Sequence, residues 1–352
     1  MFQSNTAVSA PLVDRKDLEL GRIVGQGSFG VVHEILSFNT AKAHSALNCN
    51  DEPDGDHDAA AFAMKSISYD CRKDEVLLSR ALKEIMNEAH FLSFISHQNI
   101  LKLRGMSANT GKPSAQEYFL ILDFLHETLD QRLKRWGEKL IKTKGFLKKM
   151  RRNLFRKRTK ENGEVERLLI ACDIIRALAY LHQNGIMHRD VNPRNIGFDR
   201  FDETKLFDFG SAKEFQSQSD NIGRHHTAQI GTYRYMSPEI FCGRPYHETV
   251  DIYSMGILLW EIMTLEKPFG CDLDIYTFAK NIVEGGVRPD LDIRSWSKNL
   301  KETLVLCWSQ DPSLRPKATD LEKAVILEAR DHGTKKDGSP LCVKNNQTAS
   351  AV

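Results

Sequence analysis

Asp190, Asn195 and Asp208 are the side chains in this sequence whose types and spacing most directly suggest chemistry. They lie on two adjacent short segments, His188-Arg189-Asp190 with Asn195 following, and Asp208-Phe209-Gly210. Transfer of a phosphoryl group from a nucleotide asks for little covalent help from a protein. It asks that the acceptor hydroxyl be aimed, the phosphates held still and the charge on the transferring oxygens neutralised by metal. An Asp that accepts the hydroxyl proton, with an Asn and a second Asp sharing magnesium, is a minimal set for that work. A solvated or capping side chain is the commoner fate of any single Asp or Asn, but it does not account for these three at one spacing.

A second set lies upstream. Gly25-Gln26-Gly27-Ser28-Phe29-Gly30 places glycines at G-x-G-x-x-G spacing, so that a turn without side chains can press backbone N–H groups onto phosphate oxygens. Dinucleotide folds share this spacing, but there a helix follows the last glycine. Here β-branched Val31 and Val32 continue as a strand. Lys65 ends the apolar run Ala61-Phe62-Ala63-Met64, and a lysine in such a strand needs a partner, because burying an unpaired ammonium is costly.

The elements that must position these residues are legible as patterns. Glu19 to His33 alternates around its glycines and predicts two strands joined by a turn. Ala61 to Ser68 reads as a third strand, Arg80 to Phe94 as a helix with Leu82, Ile85, Ala89 and Leu92 on one face, and Ile100–Leu103 and Tyr118–Leu122 as further short strands. After Phe124 the pattern turns mostly helical. A small strand-rich lobe followed by a larger helical lobe is an α+β arrangement with a cleft between the lobes.

With these motifs in place, the chain resembles the eukaryotic protein kinases from about Leu18 to Leu327, and so implies a bilobal fold. Downstream, Gly231-Thr232-Tyr233-Arg234-Tyr235-Met236-Ser237-Pro238-Glu239 is similar to the end of a kinase activation segment. Asp311-Pro312-Ser313-Leu314-Arg315-Pro316 supplies an arginine to pair with Glu239, and Asp251 would brace the catalytic-loop backbone. Leu259-Trp260-Glu261 and Cys307-Trp308 are most like the tyrosine-kinase-like serine/threonine group. The resemblance implies ATP and Mg2+ as cofactors, a serine or threonine of a protein as acceptor, Asp190 as base, and Asn195 and Asp208 as metal ligands. Lys65 would meet the α/β-phosphates and pair with Glu88, with Glu84 one turn earlier as the alternative. Gly25, Gly27, Gly30, Val32 and Ala63 would line the nucleotide site, and Asp123-Phe124-Leu125 would be the hinge beside the adenine. Thr128 or Asp130 would reach the ribose. His188 and Phe209 would stack with Leu92 and Leu103.

Departures from the family pattern set up further expectations. Gly197 stands where a leucine usually floors the adenine site, which removes one apolar wall worth about 1 kcal/mol of affinity. Asn192 stands where serine/threonine kinases carry a lysine that meets the γ-phosphate, and Arg194 is the nearby cation that would replace it. A non-catalytic pseudokinase and a dual-specificity or tyrosine kinase are the alternative readings. Thr227, five residues before Thr232, is the preferred activating phosphosite, with Arg189 as its receiver.

Length and composition frame the rest. The 352 residues, 41% hydrophobic, suit a buried core, with a kinase N-lobe at 18–125 and a C-lobe at 126–330. The ends, 1–17 and 331–352, read as disordered. Seven cysteines, an odd number without a Cys-x-x-Cys pair, indicate neither a disulfide framework nor a zinc site. An acidic insertion is expected at 36–60 and a basic one at 134–163. Lys134 to Lys160 holds thirteen Lys/Arg against Glu138 alone, a net +12, so the remainder must sum to −10 to give the overall +2. The basic segment 142–160, with Phe146, Met150 and Phe155 among its cations, is a candidate surface for an acidic partner, a calmodulin-like protein or an acidic membrane. No nucleic acid is expected as a partner. Met1 to Lys16 lacks the apolar core of a signal peptide, and Ile252 to Met263 is too short to span a bilayer. The cytoplasm is the expected location, with the nucleus as the alternative.

Overall fold

The computed structural model describes residues 10–40, 61–108, 118–149, 156–215, 233–291 and 296–333. Outside them fall most of the acidic insertion, Thr227, and the ends 1–9 and 334–352. The side chains of Phe146, Met150 and Phe155 also fall outside the description.

A six-stranded sheet builds the N-terminal lobe in the order β1-β5-β6-β4-β3-β2. Its strands are β1 Leu12–Val13, β2 Leu18–Gln26, β3 Gly30–Phe38, β4 Phe62–Ile67, β5 Leu103–Ser107 and β6 Phe119–Asp123. Alternation divides the sheet cleanly. Phe62, Met64, Phe119 and Ile121 join Val13, Leu18 and Ile35 in a core on one face. Ala63 and Lys65 point to the other, where Val32 pairs with Lys65 and Leu122 with Ala63. That inner face is therefore apolar with a single ammonium on it.

Helix α1, Glu75–Phe94, packs beneath this face with Ala81, Ile85, Glu88, Ala89, Phe91 and Leu92 buried. It begins about a turn and a half before the expected Arg80, because the Asp74 carboxylate accepts from the N–H groups of Val76 and Leu77 and caps the helix there. Ile100 contributes a lone bridge to Leu206 rather than opening a strand, and β5 starts at Leu103.

Two other boundaries differ from the sequence expectation. The stretch 10–17 is ordered: β1 runs parallel to β5, Leu12 opposite Met106, and Val13 is buried. Leu36 to Phe38 belong to β3, since Phe38 still pairs with Leu18.

The C-terminal lobe is helical. Helix α2 spans Leu129–Lys149 and α3 spans Arg156–Gln183, so the basic stretch extends regular helices from both sides. Helix α4, Pro238–Phe241, and α5, Thr249–Thr264, follow. Val250 to Met263 are all buried, which is why this helix reads apolar all round. Helices α6, Lys298–Cys307, and α7, Ala318–Gly333, close the lobe, α7 lying on α3. Asp331 to Gly333 thus remain helical instead of starting a disordered tail, held where His332 meets Glu164 and Glu328. Two small sheets lie at the junction of the lobes. One orders β10 (Thr204–Leu206), β9 (Ile196–Phe198) and β7 (Glu127–Thr128), and the other pairs β8 (Ile186–Met187) with β11 (Lys213–Glu214). They fix the loops 188–195 and 207–212 next to each other. Among the described residues no helix is long and apolar enough to cross a membrane.

Candidate active site

Lys65 is the hub. Its Nζ donates to Glu88 Oε2 at 2.5 Å and to Asp208 Oδ1 at 3.1 Å, joining β4, α1 and the 208–210 segment. Burial alone would lower its pKa, but the Asp208 and Glu88 carboxylates outweigh that and hold it above the usual lysine range. Burial would raise Asp208, and the Lys65 charge reverses this, so Asp208 stays an anion. Of the two candidate glutamates, Glu88 is the partner. Glu84 sits beside the same group of charges, and burial followed by repulsion from Asp208 pushes its carboxyl up to about 7.

The 208–212 segment is pinned from α1 by a residue that the sequence reading overlooked. Asn87 Nδ2 donates to the carbonyls of Phe209, Gly210 and Ala212 at 3.2, 3.0 and 2.9 Å. Its helical neighbours are themselves mostly polar, Lys83, Glu84 and His90 among them, so the sequence offered no signal for it. Asp208 itself takes a left-handed backbone, φ 65°, an uncommon state for a non-glycine residue. The rings of His188 and Phe209 meet edge-on at 4.9 Å, and Phe209 joins Leu92 and Leu103 in the main core.

Asp190 lies on the facing loop. Each of its carboxylate oxygens accepts one amide: Oδ1 from Asn192 at 2.8 Å and Oδ2 from Asn195 at 2.7 Å. Burial, then the negative charge of Asp208, raises its pKa to about 7, against the amides and the Arg194 charge that pull it down. Asp251 fixes the loop from below, accepting from the backbone N–H of His188 at 2.9 Å and of Arg189 at 2.7 Å. Arg189, also left-handed with φ 67°, sends its guanidinium to Ser211 O at 2.6 Å and Tyr246 Oη at 2.8 Å.

The residues fit a hard divalent cation. Asn195 spends its Nδ2 on Asp190, which leaves its amide oxygen to act as a ligand. Asp208 is anionic and its side chain is 42% exposed. Glu84, Asp190 and Asp208 together exceed the single ammonium among them, a negative field that a cation relieves. Among the described residues, no group of three or more His, Cys, Asp or Glu could hold a metal ion.

The nucleotide side is built from the glycine turn and the inner sheet face. Gly27 N–H donates to Gly30 O at 2.9 Å, closing the turn, and Gly30 lies over the Lys65 stem, an ideal Cβ there falling 3.5 Å from Cε. Gly25 packs on Val32, at 3.6 Å by the same construction. At the end of β6, Asp123 accepts from Arg104 Nε at 2.6 Å, and Phe124 N–H donates to Ala61 O at 2.8 Å. Neither ribose candidate is idle: Thr128 bonds Gln131, and Asp130 bridges Lys134 and Lys267.

Two departures from the family pattern gain a physical setting. At Gly197 the absent side chain is replaced in space by Leu125, whose Cδ1 is 2.7 Å from where a Cβ would stand. The space next to β9 is thus filled by an apolar side chain from 125, in the segment expected to be the hinge. Arg194 is exposed and lines a cavity with Asn192, Lys134, Arg234 and Lys267, while its charge still acts on Asp190.

Glu239 and Arg315 form a buried two-point ion pair, with Arg315 Nη1 to Oε1 at 2.5 Å and Nη2 to Oε2 at 2.9 Å.

Residues 18–325 match the model of the protein kinase domain. Among curated proteins, the chain is similar to serine/threonine-protein kinase STY17 of Arabidopsis thaliana, 29% identical over 284 residues, 78% of this chain and 43% of that protein. It is similar to serine/threonine/tyrosine-protein kinase HT1 of Arabidopsis thaliana, 35% identical over 174 residues, 49% of this chain and 42% of that protein. A probable serine/threonine-protein kinase of Dictyostelium discoideum, DDB_G0267514, is 29% identical over 305 residues, 87% of this chain and 27% of that protein. The chain thus spans less than half the length of these relatives.

Proposed function

This chain belongs to the protein kinase family, and from that membership we propose that it transfers the γ-phosphoryl group of ATP to serine or threonine hydroxyls of protein substrates. The observation that carries the proposal is the joint geometry of two charge groups. Lys65 bridges Glu88 and Asp208, while Asp190, held by two amides, faces them from the next loop. An array of this kind is costly to keep without use, since buried charges cost stability unless paired.

In this reading Lys65 positions the nucleotide phosphates, its own orientation set by Glu88. Asn195 and Asp208 hold magnesium, which when bound neutralises charge on the phosphate oxygens. Asp190 accepts the proton of the substrate hydroxyl, and Asn192 and Asn195 keep its two oxygens aimed. Serine/threonine preference is supported by the names of the relatives.

A non-catalytic, nucleotide-binding reading is favoured by one observation: Asn192 puts an amide, without charge, where the family has a lysine. One experiment separates the two. Magnesium-dependent transfer from labelled ATP should be measurable with a generic basic or a generic acidic protein as acceptor, and Asp190→Asn should lower kcat by about 10²–10⁴-fold. The variant should bind ATP as before. Absence of transfer by the wild-type protein, with nucleotide bound, would establish the scaffold reading instead. We further propose the basic segment 142–160, whose residues 142–149 and 156–160 continue helices α2 and α3, as a surface for an acidic partner, a calmodulin-like protein or an acidic membrane, and deleting it should spare transfer to the generic substrate.

A further inference from the structure

A cavity of about 230 Å³ opens beside the catalytic loop. Asn192, Arg194, Lys134, Arg234, Lys267 and Asp130 are in its wall. Four cations therefore face one carboxylate, a formal +3 around a space large enough for a side chain with its water.

The cations differ in how far the protein itself neutralises them. Lys134 and Lys267 share Asp130 at 2.7 and 3.1 Å, and Lys267 reaches past it to Glu261 Oε1 at 2.7 Å. Counting Glu261 still leaves +2. Arg234 is turned onto backbone carbonyls, those of Pro268, Gly270 and Cys271, which orient its guanidinium without cancelling its charge. The Arg194 side chain makes no hydrogen bond or ion pair among the described residues and is exposed. Structural ion pairing accounts for two of the four charges and leaves both arginines uncompensated.

The location decides what the charge is for. Asn192 lines this cavity and also donates to the carboxylate of Asp190 at 2.8 Å. The cavity and the proposed base are thus separated by one side chain. An extended peptide advances about 3.3–3.6 Å per residue, so a hydroxyl presented to Asp190 puts a near neighbour in the same peptide at the cavity mouth. Arginine clusters recognise carboxylate and phosphate groups by charge-assisted, two-point hydrogen bonds.

We propose that this cavity is an acid-reading subsite, which selects protein substrates carrying an anionic side chain close to the phosphorylated residue. The proposal rests on the kinase reading above and names the substrate class of that site. A carboxylate of Asp or Glu and a phosphate already on the substrate share the required chemistry. Arg194 and Arg234 would supply direct contacts, and Lys134 and Lys267 the surrounding field.

The test uses the full chain and a set of serine peptides with Asp, phosphoserine, Ala or Lys at each position near the serine. Both transfer and binding, the latter by fluorescence anisotropy, are followed. The expected result is a preference of about tenfold in kcat/KM for at least one anionic peptide over its Lys counterpart, shrinking as salt is raised. The Asp and phosphoserine arms then identify which anion is taken. The double charge reversal Lys134→Glu with Arg194→Glu should invert the preference, so that the Lys peptide binds more tightly than the Asp peptide. Loss of folding cannot mimic such an inversion. If transfer occurs with no preference for the anion, the subsite is overturned while the kinase reading stands. If no peptide is phosphorylated, the kinase reading fails. Anisotropy still decides the subsite: equal binding of anionic and cationic peptides overturns it, and inversion by the double reversal supports it.

Discussion

Leu125 and Gly197 should behave as one unit, because the side chain of the first occupies the space left by the second. An ideal Cβ at 197 falls 2.7 Å from Leu125 Cδ1 and 3.3 Å from both Leu125 Cγ and Glu127 O. The leucine tip can rotate away, but the carbonyl is fixed by the pairing of Glu127 with Phe198 and of Thr128 with Gly197. Gly197→Ala therefore overpacks the site, at about 1–3 kcal/mol, offset by about 0.4–1 kcal/mol from the restricted unfolded chain. The net expectation is a loss of about 0.5–2 kcal/mol. Leu125→Ala opens a gap at a partly buried position and should cost about 1–2 kcal/mol, below the range for a full core leucine. In the double variant the collision with the leucine has gone, leaving the closer approach to the Glu127 carbonyl, and the new methyl sits in the gap. Its cost should fall short of the sum of the singles by about 1 kcal/mol. Urea unfolding of the four proteins measures this coupling, and titration with a fluorescent ATP analogue follows the same cycle at the nucleotide site. If Leu125 forms the adenine wall, each single variant weakens nucleotide binding, by about fivefold for the loss of roughly 1 kcal/mol of apolar contact. Costs that add within about 0.3–0.5 kcal/mol would show that the two residues act separately and refute the reasoning.

Breaking the buried Glu239–Arg315 pair from one side, as in Glu239→Gln or Arg315→Ala, should cost about 3–5 kcal/mol in urea unfolding, with a smaller loss when both are replaced by apolar residues. Asn87→Leu removes the donors that hold the carbonyls of Phe209, Gly210 and Ala212. It should cost about 1–3 kcal/mol and lower kcat more than it weakens ATP binding. His332, bonded to Glu164 and Glu328, has its pKa raised to about 10 from the ordinary 6.5. Since the folded state holds this proton more tightly, the contribution is complete below about pH 6.5 and disappears as pH rises through about 10. After allowance for solvent screening it amounts to about 1–2 kcal/mol. The stability lost between pH 7 and 10.5 should therefore be smaller in His332→Gln than in the wild-type protein, and an unchanged difference would remove the histidine from the account.

How much of this was legible in the sequence depends on how local each signal is. The glycine turn, the Lys65 strand and α1 each carry their own period or turn chemistry, so the elements follow from pattern alone. The edges do not. The start of α1 was set by Asp74, a cap outside the apolar stripe, and the ordering of 10–17 came from a parallel pairing with β5 about 90 residues away, which no local pattern encodes. At the site, Lys65, Glu88, Asp190, Asn195 and Asp208 were named by motif, and the structure brings them together. Asn87 and Tyr246 were missed because their roles exist only across tertiary contacts: an amide meeting three carbonyls and a phenol meeting Arg189. Leu125 was named as part of the hinge, but its filling of the space at Gly197 is likewise a tertiary contact that the motif does not encode.

Asn192 shows why motif and geometry must be weighed together. By motif it is a deficit, a lost cation beside the transferring phosphate. By geometry it is a fastening: its Nδ2 donates to Asp190 Oδ1, and its Oδ1 accepts from the Arg194 N–H at 2.9 Å. A lysine could make the first bond but, having no acceptor, not the second. The fastening turns the backbone at 194 so that the Arg194 side chain leaves along the wall of the cationic cavity. Its charge still lowers the pKa of Asp190, though as the last of the named influences, well behind burial and Asp208. Burial and the Asp208 charge, not Arg194, are thus the chief influences on the proposed base. The lost contact with the γ-phosphate is a separate matter from the fastening of the base, and under the subsite proposed above the exposed Arg194 side chain is directed to the substrate instead.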